Sequence, residues 1–252
     1  AKVTNSAEVE QETEQSNECE TSICANAILV QSQIGAATVT NLGTDQDDVP
    51  NTAEVEQETE QSNECGLAIC ANVIGVQSQV GAAAVTNEGS LLEDGVVNSA
   101  EVEQETEQDN ECSEAICANV IGVQSQVGVA AVTNLGTLQN DNTNSAEVEQ
   151  ETEQSNECET SICANVIGVQ SQIGAATVTN AGIAAEDLPN TAEVEQETEQ
   201  SNECTDALLC ANIIGAQSQI GVAAVTNAGV ATFDDAKVTN SAEVEQETEQ
   251  SN

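Results

Sequence analysis

The chain has 252 residues, 45 of them acidic and 2 basic (Lys2 and Lys237), for a formal net charge of -43. It has no His, Trp, Tyr or Met, and Phe233 is its one aromatic residue. Nucleic-acid binding, which needs basic side chains to neutralise phosphates, is excluded, and anionic membrane surfaces are disfavoured for the same reason. Such a charge usually marks a disordered chain. Here 38% of the residues are apolar and the acids are placed periodically, so a folded structure is expected.

The dominant signal is an internal repeat. The segment N-S/T-A-E-V-E-Q-E-T-E-Q begins at Asn5, Asn51, Asn98, Asn144, Asn190 and Asn240, a period of 46 to 50 residues. The units are 5–50, 51–97, 98–143, 144–189 and 190–239, with 240–252 the opening strand of a sixth, all in one continuous array. Residues 1–17 and 236–252 are identical, which fits either a slice of a longer array or a subunit whose tail repeats its head.

Each unit has four parts. The first, Asn5 to Asn17 in unit one, alternates strictly: Ala7, Val9, Gln11, Thr13 and Gln15 against Glu8, Glu10, Glu12 and Glu14. Period-two alternation marks a half-buried strand, and here it overrides the poor strand propensity of Glu. The second part is a short turn bracketed by cysteines: Cys19 and Cys24, Cys65 and Cys70, Cys112 and Cys117, Cys158 and Cys163, Cys204 and Cys210. Without His, and with one pair per unit, zinc is a poor reading; disulfides in an oxidising, extracellular setting fit better. Two connectivities are open, a bridge within each pair or cross-links between neighbouring units or subunits, whose strand spacing suits disulfide geometry.

The third part is a long uncharged strand, Asn72 to Asn87 in unit two. Period two divides it into Asn72, Ile74, Val76, Ser78, Val80, Ala82 and Ala84 on one face and Val73, Gly75, Gln77, Gln79, Gly81, Ala83 and Val85 on the other. With no charge on either face, it is expected to be buried on both sides. The fourth part is a variable loop rich in Gly, Asp, Asn and Pro.

Two strands bury little alone, so the units must stack. The expected fold is all-β, a repeat cross-β array of stacked β-arches, β-solenoid-like; the alternative is an antiparallel β-meander sheet. Gln11, Gln15, Gln31 and Gln33, repeated as Gln57, Gln61, Gln77 and Gln79, would form amide ladders if stacked in register, which favours the arch. Electrostatics opposes it: in-register strands place like Glu residues about 4.8 Å apart, a repulsion of about 0.9 kcal/mol per pair even at the dielectric of water. Bound cations or raised carboxylate pKa values would relieve it.

The Gln, Asn and Gly offsets in Gln79-Val-Gly-Ala-Ala-Ala-Val-Thr-Asn87 resemble curlin-type cross-β repeats, although the unit here is about twice as long and adds cysteines. The acidic, aromatic-free, Cys-paired array is also similar to the amyloid-like major sheath protein of methanogenic archaea. That resemblance implies cross-β layers in rings or hoops, linked by disulfides, in an extracellular sheath or cell envelope of archaeal type.

No catalytic residue is assigned: the Glu rows lack a His, Lys, Tyr or Arg beside them, and Ser32 and Ser78 lack a base. No cofactor is expected. Loop acids match neither an EF-hand nor a nonapeptide Ca²⁺ repeat, so no designed metal site is expected, only diffuse Ca²⁺ counterions with weak contacts at Asp47, Asp48, Asp94, Asp187 and Asp235. The expected partners are copies of the chain, end-to-end and laterally, and divalent cations, with no nucleic acid and no membrane insertion. The expected function is a structural protein self-assembling into an extracellular amyloid-like sheath, fibre or surface layer. The rival is the Ca²⁺-stabilised repeat stalk of a cell-surface adhesin.

Overall fold

The computed structural model describes residues 5–21, 23–43, 50–67, 69–91, 96–138, 143–160, 162–184, 188–206, 208–229 and 238–252. These form eleven strands and no helix among the described residues. The short strands are β1 (Asn5–Cys19), β3 (Asn51–Cys65), β5 (Val97–Cys112), β7 (Thr143–Cys158), β9 (Leu188–Cys204) and β11 (Val238–Ser251). The long strands are β2 (Ile23–Gly43), β4 (Ile69–Leu91), β6 (Ile116–Leu138), β8 (Ile162–Ala184) and β10 (Leu209–Gly229).

The odd strands make one six-stranded sheet, sheet A, in the order β1-β3-β5-β7-β9-β11. The even strands make a five-stranded sheet, sheet B, in the order β10-β8-β6-β4-β2. Every pairing is parallel and joins equivalent residues of successive units, as in Val9↔Val55 and Gln33↔Gln79. The result is two stacked parallel sheets, compatible with a β-solenoid-like repeat and not a closed barrel. The antiparallel meander is not adopted. In-register stacking pairs each Gln and Asn with its own kind, which a meander would not do.

Alternation in the short strands sets the two faces of sheet A. In β5, Ala100, Val102, Gln104, Thr106, Gln108 and Asn110 are buried while the intervening acids point outward and are half-covered. Across the core, Ala100, Val102, Ala146 and Val148 pack on Ala83, Val85, Ala130 and Val132 in one apolar block. Fully burying a Val is worth about 1.5–3 kcal/mol, so this block is a main source of cohesion. A second apolar column, Ile28, Ile74, Ile121 and Ile167, lies nearer the turns. The bracketing cysteines form a third at the turn end.

Sheet B corrects two expectations. In β4 the inward residues are Asn72 and Ile74 and then Gln77, Gln79, Gly81, Ala83, Val85 and Asn87. The simple alternation breaks at Gly75-Val76, and the ladder of paired residues skips Leu29, Gly75, Gly122, Gly168 and Gly215. Two successive residues leave the core there; with Cys70 counted, β4 supplies nine inward positions against eight on β3. The long strands are also not buried on both sides. The outer face of sheet B is open, with Val76 and Val123 each 43% exposed.

Close approach explains the glycines. A Cβ on Gly128 would lie 2.5 Å from Val148 Cγ1, so this column of glycines is what lets the facing valines interdigitate. A Cβ on Gly122 would lie 2.6 Å from the Gly75 carbonyl oxygen of the preceding unit. The turns continue the ladder, with Gly66 N–H donating to Cys19 O at 3.0 Å and Ser113 N–H to Cys65 O at 3.1 Å. The fifth turn is one residue longer and places Asp206 at φ 54°, a left-handed conformation that Asp tolerates better than most residues.

Candidate functional site

The repeated residues converge on columns that run along the stack, so the candidate site is an extended surface and interior rather than a cleft. Gln57 Nε2 donates to Gln11 Oε1 at 2.8 Å, Gln104 to Gln57 at 2.8 Å, Gln150 to Gln104 at 2.7 Å, Gln196 to Gln150 at 2.7 Å and Gln246 to Gln196 at 2.6 Å. Gln15 and Gln61 head an identical column. A third runs along sheet B, where Gln79 Nε2 donates to Gln33 Oε1 at 3.0 Å and also to the Gln57 backbone carbonyl at 2.9 Å. Gln33 and Gln79 thus tie the two sheets together as well as their own column. Gln31 and Gln77 form no ladder with each other. Each donates across the core to a threonine hydroxyl, Gln77 Nε2 to Thr59 Oγ1 at 2.9 Å. That hydroxyl works either way, since Thr152 Oγ1 donates to Gln124 Oε1 at 3.2 Å.

The asparagine columns escaped the sequence reading. Asn51 Nδ2 donates to Asn98 Oδ1 at 2.9 Å, and Asn87 Nδ2 to Asn134 Oδ1 at 2.8 Å. The two columns meet across the core, with Asn87 Nδ2 reaching Asn98 Oδ1 at 2.8 Å. A second pair lies beside the turns, where Asn72 Nδ2 donates to Asn119 Oδ1 and to the Gln61 and Asp109 carbonyls. The signal was present: Asn recurs in every unit at both ends of each strand. A buried amide without partners would cost several kcal/mol, so ladders at both ends fix register and seal the core.

The cysteines are joined within units: Cys19–Cys24, Cys65–Cys70, Cys112–Cys117, Cys158–Cys163 and Cys204–Cys210, with Cα separations of 6.4 to 6.9 Å. Five such pairs fit an oxidising environment. No helix is long and apolar enough to cross a membrane.

The outer face of sheet A carries the Glu rows. Glu105 pairs in register with Glu58 on one side and Glu151 on the other. Partial burial, followed by repulsion from Glu151 and Glu58, pushes its carboxyl up to about 7. Glu101, Glu103, Glu107, Glu147, Glu149, Glu151 and Glu153 are raised for the same causes in the same order. Most of the raised carboxyls lie on β5 and β7, whose acids are the more deeply covered; on β3 and β9, which also have acidic rows on both sides, Glu58 and Glu197 are raised. The outer face of sheet B is uncharged along most of its length, and near the turns Ile23, Ile69, Ile116 and Ile162 line a shallow groove parallel to the stack.

Asp47, Asp48, Asp94, Asp187 and Asp235 lie outside the described residues. No group of three or more potential metal ligands occurs among the described residues.

The geometry defines a class: an all-β tandem-repeat protein of two in-register parallel sheets with amide ladders inside and a disulfide in every turn. No known protein family, curated protein or solved structure matches the chain.

Proposed function

We propose that the chain is a structural protein that self-assembles into an extracellular amyloid-like sheath, fibre or surface layer. The observation that carries this reading is that the backbone and amide ladders run from the first unit to the last and reach both ends of the stack. Open strand edges of this kind template further strands unless they are blocked. The uncharged outer face of sheet B supports lateral packing, and the Glu face hydrates the opposite side. In this reading the work is mechanical, with no catalytic role, and the disulfides lock each turn. Divalent cations act as diffuse counterions to the Glu rows.

Negative-stain microscopy of the purified protein, with and without Ca²⁺ and with and without reductant, tests it. Fibres, rings or sheets that survive detergent are expected. A monodisperse monomer under all four conditions would sink self-assembly and favour a surface-attached stalk.

A further inference from the structure

The outer face of sheet B is a set of straight ridges and furrows. Along β4 the large outward residues are Ile69, Val73, Val76 and Val80, and the small ones between and beyond them are Ala71, Gly75, Ser78 and Ala82. In-register pairing sets each residue beside its equivalent in the next unit, so Val76, Val123 and Val169 form one ridge and Ser78, Ser125 and Ser171 one furrow. The ridges are open to solvent, with Ile69, Val76, Ile116 and Val123 each 43 to 46% exposed. Contiguous apolar area of this kind marks a contact surface.

The order of ridges and furrows, read backwards, is its own complement. A two-fold axis along the stack, passing between Gly75 and Val76, runs the strand of a second copy the opposite way across the first. Ile69 then faces Ala82 of that copy, Val73 faces Ser78, Val76 faces Gly75 and Val80 faces Ala71. Every ridge meets a furrow, on both copies at once. The break in alternation lies on the axis, so the irregular spacing it introduces is common to the two. A two-fold axis along the strand direction would instead set Val76 on Val76 and leave the furrows empty. Units two and four carry the pattern in full. Unit three has Val129 in the place of Ala82, unit one has Ala27 and Leu29 for Val73 and Gly75, and unit five has Ala216 and Val222 for Val76 and Ala82.

Charge and area both fit a second copy. From Ile69 to Ala82, and over the equivalent stretch of the other four long strands, there is no charged residue, and Glu88, the outward acid of β4, lies beyond the overlap. Two chains of net charge -43 meet here without opposing acids, whereas a basic partner would be drawn to the Glu rows of sheet A. At about 3.3 Å per residue and about 4.8 Å per strand, the overlap on five strands covers roughly 1,100 Å² of each copy, more than the about 800 Å² a side of a standard stable interface. We propose, resting on the self-assembly reading, that the outer face of sheet B is covered by sheet B of a second copy, related by a two-fold axis along the stack between Gly75 and Val76. The assembly is then four sheets thick, with Glu rows on both outer sides and both copies stacked in the same direction. Dry, interdigitated contact between paired sheets is the packing that such a face allows.

Cryo-microscopy of assemblies of the full chain reads the cross-section. The unaltered chain is expected to show four sheets, with Val76 over Gly75 of the facing copy. Ser78→Val, Ser125→Val and Ser171→Val together fill the furrow opposite Val73, Val120 and Val166, and the paired cross-section is expected to be lost. Adding Val73→Ser, Val120→Ser and Val166→Ser exchanges ridge for furrow and is expected to restore it. All six positions face outward, and circular dichroism checks that strand content is kept. Assemblies two sheets thick, four sheets in another register, or pairing that survives the three serine changes overturn the proposal while leaving self-assembly standing. Pairs that never lengthen uphold the proposal and overturn the sheath or fibre reading. Monomers with intact strand content overturn both.

Discussion

Gln104 is a relay in a chain of buried amides: it donates to Gln57 Oε1 at 2.8 Å and accepts from Gln150 Nε2 at 2.7 Å. Each ladder atom satisfies the next, so the core holds a polar column at little desolvation cost. Replacing Gln104 with Leu leaves Gln57 Oε1 without its donor. We expect a loss of about 1–3 kcal/mol from that orphaned group. Gln11→Leu, at the half-buried end of the same column, should cost less because water reaches the remaining partner. Urea denaturation of both variants measures the difference, and equal midpoints would argue against the relay.

The Glu face makes stability depend on pH in an unusual direction. Glu105 is raised to about 7 in the fold from an ordinary value of 4.5, so the folded chain binds the proton more tightly than the unfolded chain. The associated stability is fully present below about 4.5 and is lost as pH rises through about 7. The other raised carboxylates act in the same sense. The melting temperature is therefore expected to rise as pH falls from 7.5 toward 4.5, the reverse of ordinary acid denaturation, within the range ~4.5–7 set by this linkage. Glu105→Gln should flatten part of that slope. A melting temperature that falls steadily over the same range would contradict the ladder electrostatics.

Two glycines of β6 test packing in two directions, one toward the facing sheet and one along the stack. Gly128→Ala drives a methyl against Val148 Cγ1, and Gly122→Ala drives one against the Gly75 carbonyl. Overpacking costs about 1–3 kcal/mol, and Gly122→Ala should fall at the upper end because its obstacle is backbone held in a ladder. Chemical denaturation ranks the two, and a neutral Gly122→Ala would mean that the stack relaxes more easily than its register implies.

The disulfides close short loops. Replacing both Cys112 and Cys117 with Ala should cost about 2 kcal/mol through the lost constraint on the unfolded chain. Peptide mapping without reductant should return bridges within each unit. Inter-unit pairs in that map would show that the column rearranges.

Much of this was legible in the sequence because the repeat places the same side chain at the same offset in every unit. The Ala7-Val9-Gln11-Thr13-Gln15 alternation settled which face of the short strands goes inward, since only one face lacks Glu. Identity between units also pointed to Gln ladders along Gln11 and Gln57. Pattern alone failed in the long strands. Neither face there carries charge, so nothing in the residue types marks Gly75-Val76 as the place where the inward face changes. Only the packing against the facing sheet shows it, and unit one makes the same switch with Leu29 and Val30 in those places.

By itself, the sequence determined the all-β class, the unit of stacking, the charged face and the need to satisfy buried amides, because each follows from periodicity and composition. Parallel pairing, the pairing of cysteines within units and the role of Asn51 and Asn98 were decided only in three dimensions. The cysteine partners lie 5 or 6 residues apart across a turn; the other features depend on the distance between atoms about 46 residues apart in the chain and one strand spacing apart in the stack, which no local pattern encodes.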